Sequence, residues 1–248
     1  MRLGMLYPGY AAEDDLPWLV DALFADGSVV ADVVHTSVGE EGDAHTVSAL
    51  REMGRAERLA EGAETLRRNR ADVAVWACTS GSFVFGWEGA RRQVDELAKD
   101  FGGPASSTSL AFVEALRALG AESVAIAATY PEPVTRCFVE LLRDAGFDVL
   151  TSDSNDIETA AEAGTADREA VLELAAAGDH PDADALLVPD TALHTVRWLS
   201  ELEHAVGKPI LTANQVTVWD ALRLAGRPVS APNLGRLFQL PVSHFSPR

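Results

Sequence analysis

The chain has 248 residues, 47% of them hydrophobic and 23% charged, which suits a globular protein with a sizeable core. Its net charge of -18 argues against nucleic acid and anionic membrane surfaces as partners, because both repel such a field. No stretch approaches the roughly 18 uninterrupted apolar residues of a membrane span, and Met1-Arg2-Leu3-Gly4-Met5-Leu6 runs into a strand-like pattern without a signal-peptide layout, so a cytoplasmic location is expected.

In chain order, short apolar runs of strand length stand at Leu3 to Tyr7, Val29 to Val34, Val73 to Trp76, Ser123 to Ala127, Asp148 to Leu150, Ala185 to Val188 and Ile210 to Thr212. Between them, apolar residues at helical intervals predict helices over Leu50 to Asn69, Trp87 to Asp100, Leu110 to Leu119, Glu132 to Ala145, Asp167 to Ala177 and Leu193 to Val206. Such alternation reads as α/β, with parallel strands buried on both faces. The halves look alike. Val73 to Thr79 and Ala185 to Thr191 are each an apolar strand ending in a polar pair and leading to a helix. Two pseudo-symmetric α/β lobes are therefore expected: residues 1–108 with 214–248, and residues 109–213, with a helix from Asn214 to Leu222 returning to the first. Ligands of open α/β sheets bind outside the carboxyl ends of the strands, where helix N-termini offer free N–H groups, so Cys78 and Asp190 are expected to look across one cleft between the lobes.

Two cysteines, Cys78 and Cys137, cannot build a disulfide framework, and neither has partners at zinc-finger spacing. Cys78 opens the run Cys78-Thr79-Ser80-Gly81-Ser82, in which a thiol is followed by hydroxyls and a glycine at a strand end. Helix N-terminal donors there would lower its pKa from about 8.5 and make a usable thiolate. The same position also suits a small buried hydrophobe, as free cysteine often is. Cys137 falls inside a helical pattern and reads as core. Tyr130, after another strand, can donate to a carboxylate or cap the next helix. Asp190 is either an acid/base in a closed cleft or a helix N-cap. Asn155 and the pair Asn214-Gln215 suit substrate orientation or turn building. The Asp14-Asp15 pair and Lys208-Pro209 faintly suggest a phosphoacceptor receiver domain, but Cys78 stands where that fold has its aspartate and the chain is about twice too long. No Walker-type loop and no G-x-G-x-x-G follows the first strand, so no nucleotide cofactor is implied.

Ala77-Cys78-Thr79-Ser80-Gly81-Ser82-Phe83, with Ala128-Thr129-Tyr130 and the late Asn214-Gln215-Val216-Thr217-Val218-Trp219, resembles the aspartate/glutamate racemase superfamily, in the branch containing maleate cis-trans isomerase and arylmalonate decarboxylase. The resemblance covers nearly the whole chain. It implies two α/β lobes, a cleft between them, no cofactor and a cysteine from each lobe. Cys78 matches the first-lobe cysteine, Thr79 and Ser80 the hydroxyls that hold a carboxylate, and Tyr130 the tyrosine that donates to the same group; Asn155 falls near an asparagine common in the isomerase branch. The second-lobe cysteine is replaced by Asp190, followed by Thr191, which is counted with the substrate-binding residues.

The resemblance thus implies Cys78 as nucleophile and Asp190 as proton donor in a cofactor-independent isomerase of a small dicarboxylic acid. A decarboxylase or amino-acid racemase of the same superfamily is the alternative, as is a non-catalytic ligand-binding module that has lost one catalytic group. Arylmalonate decarboxylases keep the second-lobe cysteine and lack the first, the reverse of this chain. The expected partner is a small carboxylic acid, with no nucleic acid and no membrane, and the sequence is compatible with a homo-oligomer as well as a monomer.

Overall fold

A computed structural model describes residues 1–227 and 229–241. Among the described residues, eight strands form two separate four-stranded sheets in which every pairing is parallel. The first contains β1 (Arg2–Pro8), β2 (Val30–Thr36), β3 (Val73–Trp76) and β4 (Ala105–Ser107), in the order β2-β1-β3-β4. The second contains β5 (Ser123–Ala128), β6 (Asp148–Ser154), β7 (Ala185–Val188) and β8 (Ile210–Thr212), in the order β6-β5-β7-β8. One order is the other repeated, so β3 and β7 occupy equivalent places.

In each sheet the chain moves outward from the first strand to one edge and then returns to the other side. Such a switch in direction opens a crevice at the carboxyl ends of the central strands, here β1 with β3 and β5 with β7. The central strands β3 and β7 are fully apolar, as strands covered by helices on both faces must be: every residue of each is buried. The edge strands β2 and β6 are only partly buried.

The segment expected as one helix from Leu50 to Asn69 is two, α2 (Val47–Met53) and α3 (Ala56–Arg68), broken at Gly54. The break follows from packing. A Cβ on Gly54 would lie 2.1 Å from the Gly81 carbonyl oxygen, so only glycine lets this turn approach the segment after Cys78. Gln93 then ties the two together, its Nε2 donating to the Gly54 and Gly81 carbonyls at 2.8 and 2.9 Å.

Two elements lie outside the predicted runs, although the first carries apolar Leu16, Leu19 and Val20 on its buried face. The helix α1 (Asp15–Leu23) follows β1, and β4 is a three-residue strand of alanine and serines. The four-residue helix α4 (Ser80–Phe83) and the long α5 (Gly86–Phe101) follow β3, and α6 (Thr108–Leu119) follows β4. In the second half α7 (Glu132–Asp144), α8 (Ala160–Ala163), α9 (Arg168–Ala177) and α10 (Leu199–Val206) connect the strands. The last helix, α11 (Ala213–Leu224), is buried at every position from Ala213 to Leu222. A helix covered on all sides belongs between layers, and α11 packs on α1 and α6 and touches β3, β4 and β8. Thr212 and Gln215 form a capping box at its start, and Asp220 is paired in the interior with Arg223 Nε at 2.7 Å. Among the described residues no helix is long and apolar enough to cross a membrane.

Candidate active site

Cys78 lies two residues beyond the end of β3, and Asp190 two residues beyond the end of β7. The repeated topology brings the two to one narrow pocket of about 20 Å³, which Ser80, Thr191 and Tyr7 also line. Three further lining residues, Asp43, His45 and Met53, come from segments without a readable chemical pattern. Their signal is positional only: the first two lie in the loop after β2, and loops at the carboxyl ends of strands are where such folds carry their sites.

Cys78 is 3% exposed, and its Sγ accepts a hydrogen bond from the Gly81 N–H at 3.3 Å. Its surroundings reverse the expectation of an activated thiolate. Burial pushes the thiol up from 9.0 to about 11; the N–H of Gly81 and the hydroxyl of Ser80 pull the other way without overcoming it, and the Asp190 carboxylate adds to the rise. The reason is that α4 is only one turn long, so its dipole is small against the loss of hydration. At neutral pH the resting group is a thiol.

Asp190 does not cap a helix. The expected helix from Leu193 is replaced by a turn, a 3-10 segment over Val196–Trp198, and only then α10. Asp190 Oδ1 accepts from the Ala192 N–H at 2.9 Å, an Asx turn, and Oδ2 accepts from the Thr129 hydroxyl at 2.5 Å. The side chain is thus held at both oxygens at the cavity wall.

The turn carrying Asp190 and Thr191 is braced by the other half of the molecule. The Tyr7 hydroxyl donates to the Thr191 carbonyl at 3.0 Å, Asn214 Nδ2 donates to the same oxygen at 3.1 Å, and Asp15 Oδ2 accepts the N–H groups of Thr195 and Val196 at 2.8 and 3.2 Å. Asn214 and Gln215 therefore build structure: one braces this loop and the other completes a helix cap. Burial pushes the Asp15 carboxyl upward against these donors.

The remaining residues singled out from sequence do not line this cavity. Thr79 sits behind it, fully buried, its hydroxyl without a hydrogen-bond partner among the described residues. Tyr130 is buried, and its hydroxyl donates to the Pro189 carbonyl at 3.1 Å. Burial and the neighbouring Asp190 and Cys78 push that phenol well above its ordinary range, with the Ser80 hydroxyl as a counterweight. Asn155 is turned elsewhere: its Nδ2 donates to the Ala128 carbonyl at 2.8 Å, and the residue lines a separate cavity with Thr129 and Ile157. Its local strand-end position suggested the cleft, but β6 is an edge strand and delivers it away from the switch point. Cys137 is half-buried on α7, bonded to the Pro133 carbonyl at 3.4 Å.

Two loops roof the cavity. Ala44 and Thr159 form an antiparallel bridge, the His45 N–H donates to the Glu158 carbonyl at 2.7 Å, and the Ala160 N–H donates to the Asp43 carbonyl at 3.1 Å. Asp43 Oδ2 also accepts the Ala161 N–H at 2.7 Å and so caps α8 from outside. The space beneath holds about one water molecule, so admission of any organic acid requires the bridged loops to part.

The profile of the arylmalonate decarboxylase family matches residues 46–238. The maleate isomerase of Geobacillus stearothermophilus is 27% identical over 174 residues, covering 68% of this chain and 69% of that protein. The arylmalonate decarboxylase of Bordetella bronchiseptica is 28% identical over 185 residues, covering 73% and 77%. Among solved structures, a liganded arylmalonate decarboxylase mutant, with one glycine changed to cysteine and one cysteine to serine, matches with a TM-score of 0.84 and 26% identity over 96% of this chain and 98% of its own. The chain belongs to the arylmalonate decarboxylase family.

Proposed function

We propose that the protein is a cofactor-independent isomerase of a small dicarboxylic acid, of the maleate isomerase type, with Cys78 as nucleophile and Asp190 as proton carrier. The observation that carries this reading is the meeting of Cys78 and Asp190, from equivalent positions in the two sheets, in one narrow pocket. A relative named maleate isomerase, similar along 68% of this chain, supports it.

The chemistry follows from the protonation states. A thiol with a pKa of about 11 needs a base at the moment of attack. In the proposed step Asp190 takes the Cys78 proton as Sγ bonds to one alkene carbon; the alkene pair moves onto the neighbouring carbon and its carboxylate, and Asp190 returns the proton to that carbon. Rotation about the resulting single bond and the reverse sequence release the trans acid, with no net change in protons or electrons. Ser80 and Thr191 at the wall are the proposed carboxylate donors; Thr79, behind it, and Tyr130, whose O–H is engaged by the Pro189 carbonyl, would join them on rearrangement of the wall, and Asn155 has no part while it faces its separate cavity.

The family match favours one second reading, decarboxylation of a malonate-like acid. Proton NMR in deuterium oxide separates the two. Maleate converting to fumarate, abolished by Cys78→Ala and slowed about 10²–10⁴-fold by Asp190→Asn, is the expected outcome. Release of carbon dioxide from phenylmalonate with maleate left unchanged would overturn the isomerase.

A further inference from the structure

His45 stands in the loop between β2 and α2, lines the cavity of Cys78 and Asp190, and is 4% exposed. Its ring meets Tyr130 edge-on, with centroids 4.9 Å apart and planes at 85°. Nδ1 lies 2.8 Å from the Ile157 carbonyl oxygen. A carbonyl only accepts, so Nδ1 carries a proton and donates it to Ile157, leaving Nε2 as the ring's other polar atom. Nε2 has no hydrogen-bond partner among the described residues. A backbone bond to Glu158 and the Nδ1 bond to Ile157 together hold the imidazole in place from the opposite loop.

The charges around this ring are one-sided. Tyr7, Cys78 and Asp190 face it across the cavity, Asp43 lies on its own loop, Tyr130 is under its edge, and Glu158 lines a neighbouring groove with it. Each of these is neutral or negative, and among the described residues lining the cavity no other is His, Lys or Arg. A carboxylate entering such an enclosure meets Asp43 and Asp190 in a medium of low dielectric, which is strongly unfavourable without a compensating positive charge.

We infer that His45 is the cationic substrate-binding residue of this site: its imidazolium Nε2–H pairs with a carboxylate of the bound acid. The inference rests on the carboxylic-acid reading above and adds to it the group that recognises the acid.

Succinate, a saturated diacid that Cys78 cannot add to, is the probe. Calorimetric titration at pH 7 gives its Kd for the wild-type protein and for His45→Asn, which keeps an N–H for the Ile157 carbonyl and lacks Nε2. The variant, folded by its cooperative urea transition, is expected to bind succinate at least about tenfold more weakly. Affinity unchanged in the folded variant overturns the inference and leaves the carboxylic-acid reading standing. If the wild type binds neither succinate nor malonate, that reading falls, and the role of His45 falls with it.

Discussion

Raising the pH tests the state of Cys78 directly. Burial moves its thiol from 9.0 to about 11, and two units amount to about 2.7 kcal/mol, or roughly a hundredfold less thiolate at pH 8 than an ordinary cysteine has. Alkylation by iodoacetamide, followed by peptide mass mapping in a Cys137→Ser background, reads this quantity. The rate at Cys78 should climb about tenfold per pH unit from pH 7 to 10 with no plateau near 8.5, and a diacid that binds the cavity should slow it. The same shift enters stability. In the unfolded chain the thiol ionises from pH 9.0 and in the folded one only near 11, so the unfolded state holds fewer protons between these values. Stability that is complete below pH 9 is lost as pH rises to 11, by up to about 2.7 kcal/mol. Cys78→Ala should remove that part of the alkaline decline in urea unfolding. A labelling rate that levels off at or below pH 8 would show that the thiolate already forms at neutrality, and would refute the view that desolvation dominates here.

Two further predictions concern packing around the pair. In Gly81→Ala the added Cβ would lie 3.1 Å from Cys78 Sγ and 3.0 Å from Trp76 Cζ2, so overpacking of about 1–3 kcal/mol outweighs the better helix propensity of alanine; a raised urea midpoint would contradict it. Thr129→Val keeps the shape but takes the donor from Asp190 Oδ2 in a buried setting, with an expected loss of about 1–3 kcal/mol at an unchanged denaturant slope; an unaltered midpoint would mean that Asp190 is held without it.

Much of the architecture was legible because buried parallel strands announce themselves as short apolar runs. β3, β7 and β8 fall where the runs stand, and the likeness of the segments around Cys78 and Asp190 reflects sheets of identical strand order. Apart from α1, whose Leu16, Leu19, Val20 and Leu23 do stand at helical spacing, the elements missed are those whose residues are chosen by neighbours instead of by period. β4 is three small residues, and the division of α2 from α3 depends on how closely Gly54 must approach Gly81. The helix anticipated after Asp190 failed similarly. Leu193, Val196 and Leu199 have helical spacing and are all buried, but the first of them lies in a loop braced by Tyr7, Asp15 and Asn214, residues about 20 to 190 positions away in the chain.

For the site itself, the sequence alone determined which chemical groups stand at strand ends: a thiol among hydroxyls after β3 and a carboxylate after β7. Periodicity and turn chemistry are local properties, so they place a residue along its own strand. Only the tertiary structure decided that Asp190 faces the cavity instead of capping a helix, that Asn155 turns to a different one, and that Asp43 and His45 close the roof. It also decided the sign of the Cys78 shift. A thiol's pKa is a balance between donors, which are near in sequence, and the loss of water, which depends on everything the fold packs around it; for Cys78 the second is the larger.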